Sequence, residues 1–278
     1  MAFQDFFHAA LTEPFLRQAL LVGLLAALAG GLIGPYVVVK RIGYLGGGIA
    51  HTVLAGMGIA YFLGGSPIVG AFICALVAAV IIGVISLYSP REEDTVINAL
   101  WAVGMSVGVL FISQTPGYST NLTSYLFGNL LLTPPGLASV LSAIVAGLVL
   151  VLLLVHRSLT AVIFDEEFAS LRGVPARTLY ILLLCLVAVS VVVLLQAIGL
   201  IMVIALLTLP AALAGHHVRS ISAMMLIASL AGMLFIVVGM AISWVADLPS
   251  GATIVLVAGL GYFVSISVQH LLKPYRQG

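Results

Sequence analysis

Charge is what this chain of 278 residues has least of. Ten Lys or Arg and nine Asp or Glu make up 7% of it, against about 25% in soluble domains. That little charge cannot cover a water-facing surface, so a soluble protein is excluded. The net charge of +1 offers neither a basic face for nucleic acid nor an acidic tail. Only two cysteines occur, Cys74 and Cys185. Both lie inside apolar runs without metal-ligand spacing, which argues against a disulfide framework or a cysteine metal site. Met1 to Glu13 hold Asp5 and Glu13 but no Lys or Arg, so a signal peptide is not expected there. No G-x-x-x-x-G-K-[ST] loop is present. If ATP drives this protein, another chain must bind it. The apolar runs contain no Asp or Glu at all. Ion-coupled transporters working alone generally carry such carboxylates in the membrane. No nucleophile–base pair or metal-ligand cluster stands in the runs either, so an enzyme is the weakest reading.

What the chain has instead is hydrophobic residues, 63% of the total, with a mean hydropathy of +1.29. About nine apolar runs approach the roughly 20 residues that cross a bilayer. They lie near 16–39, 45–63, 67–88, 95–113, 137–155, 178–196, 198–215, 220–245 and 251–271. Each must be helical, because lipid satisfies no open backbone. The sixth and seventh are barely separated, at Ala197-Ile198-Gly199, and read as a tight hairpin. The expected fold class is an all-α integral membrane protein of about nine transmembrane helices. A variant of eight spans, with one early run interfacial or re-entrant, is also compatible. Lys40, Arg41, Arg91, Arg157, Arg172, Arg177, Arg219, Lys273 and Arg276 fall in alternate loops or at the C-terminus. The intervening loops have none, so the basic side is expected to be cytoplasmic. Arg17 is the exception and snorkels. Residues 1–278 read as a single transmembrane domain, with 156–177 as its longest cytoplasmic loop.

A few residues stand out as candidates for chemistry. His51 is the only ionisable side chain between Arg41 and Arg91 other than the tyrosines and Cys74. Ionisable groups at membrane depth usually face a pathway, and neutral imidazole suits divalent transition metals. The plainer role is a packing histidine bonded to a nearby carbonyl. Asn98 and Ser106 stand eight apart on one helix face, as path lining or as interhelical hydrogen-bond partners. Met57, Met105 and Met202 are soft ligands in principle, although buried methionine is mostly packing. Glycines crowd the first two spans and favour close helix approach. Pro210 is expected to break or kink the seventh run. His216 and His217 follow Gly215 at a helix end and read as ordinary interfacial residues. Asp165, Glu166 and Glu167 open a short helix whose Phe164, Phe168 and Leu171 form one apolar stripe around Ala169. Gly173 and Pro175 stop it. Three leading acids disfavour a lipid surface, so the stripe is expected to face a protein partner.

Four segments together resemble the permease family of bacterial ABC importers for zinc, manganese and iron. They are Val38-Val39-Lys40-Arg41 through Ala50-His51 and Gly56, Ser124-Tyr125-Leu126-Phe127-Gly128-Asn129, Phe164 through Gly173, and Ile198-Gly199-Leu200 through Thr208-Leu209-Pro210-Ala211-Ala212. The resemblance implies a type II importer architecture, like that of vitamin B12 importers, in a bacterial inner membrane. It implies a non-catalytic subunit, paired as a homodimer around a central path lined by His51. It implies an extracytoplasmic metal-binding protein that delivers the cargo. It assigns Asp165, Glu166, Glu167, Phe168, Ala169, Leu171 and Gly173 to docking two copies of an ATP-hydrolysing subunit. No permanently bound cofactor is implied. The divalent metal is cargo, with zinc expected first, then manganese or iron. One departure stands out. The family places an aspartate four residues before the histidine, and here that position is Gly47. A metal chelate or vitamin as cargo for the same architecture is therefore the alternative.

Overall fold

The computed structural model describes residues 2–115, 128, 130, 133–134, 136–200 and 203–272. The described residues are helical apart from short turns. They form α1 (Ala2–Thr12), α2 (Pro14–Lys40), α3 (Gly43–Phe62), α4 (Pro67–Tyr88), a short 3₁₀ turn (Pro90–Glu92) and α5 (Glu93–Ser113). Further along the chain come α6 (Leu137–Phe164), α7 (Glu166–Leu171), α8 (Ala176–Ile198), α9 (Val203–Gly215), α10 (Ile221–Ala246) and α11 (Ser250–Leu272). Prolines mark two starts: Pro14 and Pro67 occupy first-turn positions, where a missing N–H costs nothing. Gly173 ends α7 with a positive φ of 79°. There Val174 N–H donates to Ala169 and Gly173 N–H to Ser170, a double closure of the helix end.

Among the described residues, eight helices are long and apolar enough to cross a membrane: α2, α3, α4, α5, α6, α8, α10 and α11. The seventh apolar run departs from its expected form. Its helix, α9, has 13 residues, about 20 Å of rise, short of a hydrocarbon core of roughly 30 Å. The connection before it is no surface hairpin either. Ile198, Leu200 and Val203 are all buried. The break falls at Gly199, whose φ of 78° and ψ of 169° no other residue type adopts readily. Irregular backbone at this depth survives only where protein covers it. Gly128 supplies part of that cover, lying so close that a Cβ there would collide with the Ile198 carbonyl carbon.

Pro210 therefore does not break the run. Helix α9 continues through it. The proline leaves the Leu206 carbonyl without its helical donor, and that carbonyl faces Gly30 of α2, 3.4 Å from where a Cβ would stand. In the same turn α9 packs directly on α2, where a Cβ on Gly34 would collide with the Leu207 carbonyl oxygen.

The basic residues gather at one end of the bundle. Lys40 lies 3.7 Å from Glu166 and over the Tyr180 ring. Arg177 lies over Tyr88, and Arg41 and Arg219 line one crevice. The segment 199–215 must still return the chain to this end, because α9 finishes beside Arg219.

Small residues decide who is inside. In α3, Gly56 and Gly70 of α4 touch so closely that a Cβ on either would meet the other's carbonyl oxygen. A Cβ at Gly58 would stand 2.6 Å from the Gly108 carbonyl, and one at Gly104 2.7 Å from Thr52 Cα. These contacts set α3 against α4 and α5 as closely as backbones allow. Outside them, α1 tucks Phe6 into the core.

Candidate functional site

His51 occupies the third turn of α3 and is 9% exposed. Its Nδ1 lies 2.8 Å from the Gly47 carbonyl. A carbonyl only accepts, so Nδ1 carries the proton and donates. The neutral ring then keeps its lone pair on Nε2, the atom a metal would use. The carbonyl partner expected of a packing histidine is thus present, and it accounts for one nitrogen only. The ring is also clamped from the side. Trp101 of α5 stacks on it with centroids 4.0 Å apart and 26° between planes. Carbonyl and indole together hold the imidazole in one orientation without occupying Nε2.

Trp101 was not singled out by sequence. It stands 50 positions away, and the available signal was weak: one of two tryptophans, three residues after Asn98. It is 39% exposed. Asn98 and Ser106 are exposed on the same flank of α5, and the Ser106 hydroxyl is satisfied by the Ala102 carbonyl at 2.8 Å. Trp101, Asn98 and Ser106 are thus all exposed on α5, and buried His51 meets this helix through its stack on Trp101. Met57 does not join them. It is buried beside Leu54, Tyr61, Pro67 and Ile112, turned away from His51.

Position 47 faces α9. A Cβ on Gly47 would come 2.7 Å from Ile204 Cδ1, the movable end of a side chain. An aspartate there would have to displace that methyl. Next to His51, Thr52 donates to the Gly48 carbonyl at 2.8 Å and reaches the Leu100 carbonyl at 3.1 Å, tying α3 to α5. No group of three or more His, Cys, Asp or Glu converges among the described residues. Met202, Ser124 to Phe127 and Asn129 lie outside them. His216 stacks on Tyr262, and His217 lies 3.0 Å from Ser265.

The second site is α7. Asp165 caps it, accepting from the Phe168 N–H at 2.8 Å. Ala169 is buried against the bundle, whereas Phe168 is 52% and Leu171 87% exposed, with Phe164 also exposed. The helix is thus pinned by one small residue and presents its apolar stripe outward. Lys40 holds it to the end of α2 through Glu166. This is the geometry of a short helix offered to a groove in another protein.

Eight membrane-length helices among the described residues, a buried imidazole held in one orientation and a short apolar helix offered at the basic end make up a multi-pass membrane protein. A family model described as the ABC 3 transport family matches residues 12–269. The chain belongs to that family. It is 39% identical over 258 residues to an uncharacterized membrane protein of Synechocystis, covering 93% of this chain and 92% of that one. It is 32% identical over 277 residues to the manganese transport system membrane protein MntC of Halalkalibacterium halodurans, covering 98% and 94%. Among solved structures, PsaBC from Streptococcus pneumoniae in complex with Fab superposes with a TM-score of 0.86 at 27% identity over 95% of each chain.

Proposed function

We propose that this chain is the permease subunit of an ATP-driven importer that carries a divalent transition metal into the cytoplasm. Family membership supports a transport subunit whose ATPase is a separate chain. The observation that carries the metal is His51, with Nδ1 committed to Gly47 and Nε2 left free beside the uncovered flank of α5. Two copies of the chain facing each other across that flank would bring two imidazoles, Asn98 and Ser106 to one central route. Such a route binds weakly, as transit requires. An extracytoplasmic metal-binding protein would deliver the ion, and α7 would dock one ATP-hydrolysing subunit per copy. Manganese moves ahead of zinc as the first cargo to test, because a close relative is named for it.

The test is uptake of manganese and zinc into vesicles holding the chain with its ATPase partner. His51→Ala should lower uptake about tenfold or more with little change in thermal stability. Wild-type rates from His51→Ala would make it a packing residue. Gly47→Asp should tighten metal binding once Ile204 turns aside, and slow release.

A further inference from the structure

A groove of about 530 Å³ runs along the outside of the bundle between α2, α6 and α10. Its deep part is aliphatic, walled by Leu28, Leu32, Leu152 and Met233. Its shallow end is polar and lies at the basic end of the molecule, where α10 starts and α6 approaches its close. Arg157, His156 and Ser222 stand there. No carboxylate lines the groove. Arg157 is exposed, and no ion pair holds it among the described residues. The polar end is also organised. Tyr36 Oη lies 2.5 Å from His156 Nδ1, and His156 Nε2 lies 2.9 Å from Ser222 Oγ. With the phenol donating inward, the imidazole N–H donates to Ser222, and the seryl proton is left for an acceptor in the groove. This chain ties α2, α6 and α10 together at the point where the groove opens.

We propose that this groove holds one anionic phospholipid of the cytoplasmic leaflet. Its acyl chain lies between α2, α6 and α10, and its phosphate sits against Arg157 and the Ser222 hydroxyl. Charge complementarity commits the headgroup: a free guanidinium with no acid nearby favours net negative charge over a zwitterion. The aliphatic depth commits the tail, since hydrocarbon already surrounds this face of the bundle.

Native mass spectrometry of the full-length chain in detergent tests this, titrated with phosphatidylglycerol, phosphatidylcholine or glycerol phosphate. The wild type should retain one phosphatidylglycerol about fivefold more strongly than phosphatidylcholine. Arg157→Gln should erase that preference, and Ser222→Ala should reduce it. Leu226→Trp, placed on the groove wall, should weaken both lipids while leaving the charge in place. Equal retention of the two lipids by the wild type would overturn the proposal. So would phosphatidylglycerol binding unchanged in both Arg157→Gln and Leu226→Trp. Glycerol phosphate bound as strongly as the lipid would also overturn it, by showing an anion site without a tail. Metal uptake plays no part in the readout, so the outcome is independent of the transport reading.

Discussion

Helices α3 and α6 divide the molecule between them. Both are long enough to cross a membrane, yet 78% of the α3 span is buried and only 22% of the α6 span. The buried one is the poorer in large aliphatics and the richer in glycine: Gly43, Gly46, Gly47, Gly48, Gly56 and Gly58 against Gly147 alone. The outer one presents Leu150, Leu153 and Leu154 outward. In water the large hydrophobes would mark the core. In lipid they mark the rim, because tails solvate leucine as well as protein does, and only close backbone packing separates inside from outside. His51 lies on the glycine-rich helix, held by the Gly47 carbonyl and the Trp101 indole.

The largest expected effect breaks the contrast directly. Gly70→Val drives a side chain into the Gly56 carbonyl, where backbone blocks relaxation. It should destabilise by about 3 kcal/mol or more, seen as loss of monodisperse protein after extraction. Gly147→Val of α6 meets nothing within 4 Å and should stay within about 0.5 kcal/mol of wild type in the same melting assay. Equal damage from both would mean that α3 owes nothing to its glycines.

The next effect lies outside the bundle altogether. Phe168→Ala with Leu171→Ala should weaken ATPase-subunit binding by about 2 kcal/mol or more, measured by co-purification or light scattering. The melting temperature should hold, since neither side chain is buried. Undiminished binding would remove α7 from the interface.

Within the α3–α5 contact, Trp101→Leu should cut metal uptake about tenfold by releasing the His51 ring, while Trp101→Phe keeps most of the rate. A merely structural tryptophan would instead shift the melting temperature in both variants. Manganese should quench Trp101 fluorescence in a Trp244→Phe background, and this quenching should vanish in His51→Ala.

The smallest effect is at the rim. Lys40→Ala removes a half-exposed ion pair with Glu166 and should cost under about 1 kcal/mol, read as a slight loss of coupling between ATP hydrolysis and uptake. A large loss would make the pair part of the docking surface itself.

Some of this was legible in the sequence. Eight of the nine expected spans follow from composition, and Lys and Arg in alternate loops told which end gathers the charge. The apolar stripe Phe164, Phe168 and Leu171 emerges outward as its spacing required, because six residues capped by Asp165 and Gly173 form a local unit needing no distant partner. Other features were not legible. The run 198–215 is uniformly apolar, so nothing in its composition signals the break at Gly199 ahead of α9. Pro210 was the obvious place to break it, and the break lies at Gly199 instead. Asn98 and Ser106 are both exposed on α5 while Met57 is buried, since helical spacing alone does not say which side a neighbour will cover.

The sequence by itself determined that this chain lives in a membrane, which runs are apolar enough to be candidate spans, and that His51 is the lone imidazole between two charged boundaries. Hydrophobicity, helix length and loop charge are summed along the chain and need no folding to be read. Only the tertiary structure decided that the seventh run breaks at Gly199 beneath Gly128, that α9 packs against Gly34 of α2, and that Trp101 stacks on His51. Each of these rests on contacts between residues tens of positions apart, and the first two on distances that a glycine permits and a single methyl group would forbid.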